Sequence, residues 1–173
     1  MIFTGFKRKS AQFFFNKQLQ KLLSNNKKYA SNKVSSVLVF LDDISEKKSV
    51  QESLMETLQV VENQFEFIVF KNKFQKKQVC DACFSPKDFG WSGKVKSEKL
   101  NAILTKKYDL LINYSKVENI YRNLLILQTK AAFKVGFSHF DNRLYDLMLE
   151  GGKIDIELFN SELKKYLKIL NKI

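Results

Sequence analysis

VSSVLVFL, residues 34–41, ends in an unbroken run of apolar side chains and is closed at once by Asp42-Asp43. A strand with one wet face alternates apolar and polar residues. A strand that is apolar at consecutive positions must be covered on both faces. The stretch therefore predicts a sheet sandwiched between helices. FEFIVF (65–70), a short run from Val79 to Phe84, YDLLINY (108–114) and AAFKVGF (131–137) have the same character. Between them lie segments of helical period. One begins at Ser45 and runs to about Glu62, with Val50, Leu54, Leu58 and Val61 inward; others span 97–106 and 117 to about 130. A short helix is expected to carry Arg143, Leu144, Asp146, Leu147 and Met148 and to break at Gly151-Gly152. The last helix, Asp155 to Leu170, should bury Ile156, Phe159, Leu163, Leu167 and Leu170. Strands alternating with helices imply parallel crossovers. The expected fold is an α/β, three-layer Rossmann-like or flavodoxin-like sandwich with a mainly parallel sheet of about five strands.

Ahead of this unit stands a segment of different composition. Residues 1–33 hold eight basic side chains, including Lys7, Arg8, Lys9, Lys17, Lys21 and Lys28, and no Asp or Glu. The other 140 residues hold 22 basic and 18 acidic side chains, so the N-terminal segment carries most of the field behind the net charge of +12. Residues 6–29 read as an amphipathic helix: Ala11, Phe14, Phe15, Leu19, Leu22 and Leu23 share one side, and Lys9, Lys17, Lys21 and Lys28 the other. Phe6 and Phe13 sit among the lysines, where a helix that only docks on its own domain does not need them. We divide the chain into this helix with its linker (1–33) and one α/β domain (34–173).

Such a charge distribution attracts phosphate, on nucleic acid or on lipid. Lysines interleaved with phenylalanines suit phosphate contact with base stacking. The expected function is accordingly that of a non-enzymatic binding protein contacting RNA or a ribosomal partner through Lys7, Arg8, Lys9, Phe13, Lys17, Lys21 and Lys28. Only three arginines are present, Arg8, Arg122 and Arg143, which favours unspecific over base-specific contact. A peripheral inner-membrane protein anchored by the same helix is the first alternative. The plainest reading is that the helix packs on the domain through its apolar side with its lysines solvated.

An enzyme is the other alternative, with its site at the carboxyl ends of the strands, where open parallel sheets bind ligands. Asp42, Asp43, Asn113, Tyr114, Gly136 and Asp141 would line that pocket. Adjacent carboxylates can hold a hard cation or cap the next helix, and the capping reading is preferred. A receiver-domain reading fails because Asn113 stands where the acceptor aspartate is required. No G-x-G-x-x-G, Walker A, G-x-S-x-G or H-E-x-x-H pattern occurs. No catalytic residue, metal or cofactor is assigned. His139, the only histidine, has no partner in sequence that fixes its tautomer. Cys80 and Cys83 form a C-x-x-C that could be a redox pair or half a zinc site; in an extended segment they would point apart, so a structural role is expected. The loop at 85–94, SPKDFGWSGK, holds the single Pro and the single Trp. It is either a lid or a plug whose Phe89 and Trp91 cover the core edge, and the plug is preferred. No apolar run approaches the roughly 20 residues of a membrane span, and no signal peptide is seen, so a cytoplasmic location is expected, with a peripheral membrane site as the alternative.

Two resemblances add to this. YDLLINYS and AAFKVGFS, with the helix between them, resemble the N-terminal Rossmann half of heptosyltransferase-type glycosyltransferases, which would imply half of a two-domain enzyme. FSPKDFGWSG (84–93), YDLLINY, AAFKVGF, the stretch from Arg143 to Met148 and the ending KYLKILNKI (165–173) together resemble an uncharacterised flavobacterial domain family. That resemblance implies a cytoplasmic protein of the Bacteroidota and carries no activity.

Overall fold

The computed structural model describes residues 2–25, 33–72, 80–91, 93–150 and 155–173. Among these residues six strands, β1 (Val37–Leu41), β2 (Phe65–Phe70), β3 (Cys83–Phe84), β4 (Lys107–Asn113), β5 (Lys130–Phe137) and β6 (Leu147–Leu149), form one sheet in the order β3-β2-β1-β4-β5-β6. Every pairing between these strands is parallel. This is the doubly wound strand order, with β1 at the centre and the topological switch point between β1 and β4. All five side chains of β1 are fully buried, as its unalternating sequence requires.

The two faces of the sheet carry separate cores. Val37, Val39 and Leu41 of β1 point toward the layer of α2 (Lys47–Leu58) and α5 (Ile156–Ile169), where Val50, Leu54, Phe159, Leu163 and Leu167 are buried. Leu38 and Phe40 point the other way, toward α3 (Glu98–Thr105) and α4 (Ile120–Gln128). Helix α4 is buried at every residue from Tyr121 to Leu127. A helix apolar on all sides needs cover on both. One side of α4 meets the sheet core, and the N-terminal helix α1 (Ile2–Asn25) packs on it through the buried Ala11, Phe15 and Leu19.

Several boundaries depart from expectation. The expected helix at 143–148 is instead a short 3₁₀ turn, Asn142–Leu144, followed by β6. Asp141 caps the turn by accepting from the Arg143 N–H, and the Asp146 N–H donates to the Lys134 carbonyl at 2.8 Å. Pairing with the open edge of β5 thus satisfies backbone groups that a helix of this length could not. Helix α2 stops at Gln59, whose φ of +57° reverses the chain. That reversal buries Val60 and leaves Val61 exposed, opposite to the helical register expected for Val61. Leu170 is likewise exposed, because α5 ends one residue before it. Helix α1 begins at Ile2 rather than at residue 6, continuing through Gly5, where an added Cβ would meet nothing within 4 Å. Expectations for Lys28 and for Gly151-Gly152 lie outside the described residues.

Cys80 and Cys83 are joined in a disulfide with Cα atoms 5.2 Å apart. They lie across a turn in which the Cys83 N–H meets the Cys80 carbonyl, not along a strand, so the expectation that they point apart is corrected. Among the described residues the third strand is confined to Cys83–Phe84, and Val79 lies outside them.

Lys134 of β5 is a cation set into this framework. Its Nζ donates to the Ile126 carbonyl at 2.5 Å, and burial pushes its pKa down to about 8, against the opposing pull of Asp146. Between pH 8 and the ordinary lysine value, the unfolded chain therefore holds the proton that the folded chain has lost. Stability rises with pH in that window. Urea unfolding at pH 7.5 and 9.5 should show the native protein gaining about 2 kcal/mol relative to Lys134→Met. A pH-independent difference would show that the buried ammonium is not the cause. Tyr108, Tyr114 and Tyr145 have pKa values raised by burial and oppose the trend only above pH 10.

Candidate nucleic-acid interface and the carboxyl edge of the sheet

With Ala11, Phe15 and Leu19 turned onto α4, the opposite face of α1 is turned to solvent. It carries Lys9, Lys17, Gln20, Phe6 and Phe13, spaced three, four and seven apart so that they share one stripe. Phe6 is 62% and Phe13 is 68% exposed. Seven residues place them about 10 Å apart along the axis. Lys9 and Lys17 are exposed and form no ion pair among the described residues. Arg8 is exposed and lies near enough to Tyr121 to act on it electrostatically.

Lys7 differs from the other basic residues. Its Nζ donates to the Pro86 carbonyl at 2.6 Å, and partial burial, with Lys96 close by, lowers its pKa. Lys7 thus ties α1 to the 85–96 loop. Lys21 is exposed, and Lys28 lies outside the described residues.

The carboxyl edge of the sheet holds a denser polar cluster. Arg122 is 4% exposed although it is charged, and it is anchored on three strand ends or loops. One terminal nitrogen pairs with Asp42 beyond β1 and reaches the Phe70 carbonyl of β2 at 3.4 Å. The other donates to the Val117 carbonyl in the β4–α4 loop at 2.7 Å. Burial lowers the pKa of Arg122, and Asp42 opposes that shift. Asp42 also accepts the Lys116 N–H at 2.7 Å. Asp43 is drawn down to about 2 by Lys71, whose Nζ lies 2.5 Å away, and by the Ser45 backbone and hydroxyl. Both carboxylates are therefore engaged by cations and N–H groups of the chain itself; Asp43 caps the 3₁₀ turn Ile44–Glu46 that leads into α2, not α2 itself.

The remaining pocket candidates separate. Asn113 donates to the Tyr145 hydroxyl at 2.8 Å and accepts from the Ser115 N–H. Tyr145 stands directly over Gly136, where a Cβ would meet its ring at 2.5 Å, so this niche is filled by the protein. Tyr114 points away into the α5 layer, where its hydroxyl bonds Asn160 and its ring lies 5.0 Å from Phe159. Asp141 forks onto Arg143 at 2.8 and 2.6 Å. His139 is exposed, with its ring 4.2 Å from that of Phe140. Among the described residues no group of three or more His, Cys, Asp or Glu side chains is disposed to hold a metal ion. Among the described residues three buried side-chain atoms, Ser115 Oγ and Arg122 Nε at this edge and Gln128 Nε2 at the end of α4, have no hydrogen-bond partner.

Sequence reasoning gave no site role to Arg122, Tyr145 or Lys71. Arg122 was legible: a lone charge in IYRNLLILQ, an otherwise nearly apolar helix, needs a buried counter-charge. Tyr145 was not, because its role depends on the gap over Gly136, two elements away.

The loop at 85–96 is a plug at its base and not at its tip. Phe89 is fully buried, its ring 6.1 Å from Phe70 and 5.1 Å from Tyr121. Trp91, expected to cover the core edge with it, is 54% exposed. No described helix is long and apolar enough to cross a membrane. A family model described as Family of unknown function (DUF6913) matches residues 7–170, nearly the whole chain, so the chain belongs to that family. Neither a curated protein nor a solved structure matches it.

Proposed function

We propose that this member of the DUF6913 family is a non-enzymatic binding protein that contacts RNA through the outward face of α1. The observation that carries the reading is the exposure of Phe6 and Phe13, alternating with Lys9 and Lys17, on a helix whose other face is already buried. Exposed rings between cations offer stacking and phosphate contact together. The docked face also bears on the membrane alternative. An interfacial helix inserts its apolar side into the bilayer. Here that side holds Ala11, Phe15 and Leu19 against α4, and insertion would have to strip them from the core. The enzyme alternative, including a degenerate glycosyltransferase half, would need a crevice at the carboxyl edge, where Arg122 is paired with Asp42 and Tyr145 stands over Gly136. The cytoplasmic, flavobacterial setting expected from sequence is part of the proposal.

The test is a salt titration of RNA binding by the full chain. Log affinity should fall linearly with log salt, and Lys9→Ala with Lys17→Ala should lower the slope by about 1.4, or about 0.7 per single-strand phosphate contact. Binding that ignores salt would refute the reading. So would retention on anionic vesicles with none on RNA.

A further inference from the structure

The loop that carries Trp91 is braced against the same helix. Within it, the Gly90 N–H meets the Lys94 carbonyl at 2.8 Å, the Lys96 N–H meets the Asp88 carbonyl at 2.7 Å, and Phe89 and Val95 form an antiparallel bridge. From α1, the Ser10 hydroxyl donates to the Trp91 carbonyl and Lys7 holds the Pro86 carbonyl. Gly93 has a φ of +69°, and a Cβ there would stand 3.3 Å from Phe14, so loop and helix meet at close range. Ser10 lies four residues after Phe6 and three before Phe13, on the flank of their stripe. The exposed Trp91 therefore borders the surface that displays Phe6 and Phe13. Exposed Lys94 and Lys96 flank it. The nearest acids in sequence are Asp88, which is turned back onto the Ser85 N–H at 2.7 Å, and Glu98 at the start of α3.

We infer that Trp91 is a base-stacking residue, and that the 85–96 loop with Lys94 and Lys96 extends the α1 face into a platform for single-stranded RNA. The inference rests on the reading of α1 as an RNA-contacting helix and adds a second element and a strand preference to it. The backbone at Trp91 is braced by Ser10, so its indole stacks at a lower ordering cost than one on an unbraced loop. Three exposed rings, Phe6, Phe13 and Trp91, select unpaired bases, because a duplex keeps its base faces stacked on one another.

Trp91 is the only tryptophan, so its emission reports on its own surroundings. The full chain is titrated with an oligouridylate of about 12 nucleotides, within the range of single-strand site sizes, and with a duplex of equal length. Fluorescence anisotropy of labelled RNA is followed in parallel. The single strand should bind more tightly than the duplex and quench the indole. Trp91→Ala should weaken single-strand binding by about 5- to 150-fold, the equivalent of one lost stacking contact. Trp91→Phe should restore most of it. Binding seen by anisotropy with unmoved emission and an unaffected Trp91→Ala variant overturns the inference and leaves the α1 reading standing. Tighter binding to the duplex overturns the inference alone as well. No RNA binding at all overturns both.

Discussion

Asp42→Asn is expected to lower the unfolding free energy by about 3–5 kcal/mol, because it strands the Arg122 charge in the interior without its counter-ion. Arg122 would keep its carbonyl acceptors at Val117 and Phe70, but neither carries a formal charge to offset the guanidinium. The pair ties the carboxyl end of β1 to α4 and to the end of β2, so its loss should be felt at the centre of the sheet. Removing both charges is a different matter. Buried ion pairs replaced by apolar groups of similar size are often neutral in stability. The double variant Asp42→Asn with Arg122→Met should recover most of the loss in a urea-unfolding cycle. If the single and double variants are equally unstable, the damage lies in the Asp42 contact to the Lys116 N–H instead.

The second large effect is expected at Phe15. Truncation to Ala should cost about 3–5 kcal/mol, the usual range for removing a buried aromatic side chain. Phe15 is 2% exposed and belongs to the same core as Leu124, Leu125 and Phe89. Hydrogen exchange should show the amides of α1 losing protection together with those of α4, which α1 covers. Phe13→Ala, two positions away on the solvent face, should change stability by less than about 0.5 kcal/mol while weakening RNA binding. Equal stability losses at the two positions would contradict the docked arrangement of α1.

Much of the architecture was legible because it follows from local pattern. Unalternating strands at Val37–Leu41 and Leu110–Ile112 demand cover on both faces, and the helices between them demand parallel pairing. Caps at Asp43, Ser97, Asn119 and Asp155 are local too, each side chain reaching a backbone N–H two or three residues on. The errors fall where a distant partner decided. Leu147–Leu149 reads as a piece of helix until the open edge of β5 is beside it. Val61 reads as a core residue until the left-handed turn at Gln59 moves it outward. The two carboxylates at 42–43 look equivalent in sequence. One became half of a nearly buried ion pair and the other a cap, because only one faces Arg122.

What the sequence determined by itself was a parallel α/β sandwich preceded by an acid-free helix with two phenylalanines among its lysines. Composition and period suffice for that, since both are properties of neighbouring residues. That Trp91 would be left in water was decided by tertiary structure alone. Phe15 and Phe89 were absorbed by α4 and its surroundings, whereas Phe6, Phe13 and Trp91 were not. A ring's exposure depends on what another part of the chain brings to it, and α1 meets the 85–96 loop across some 80 residues of sequence.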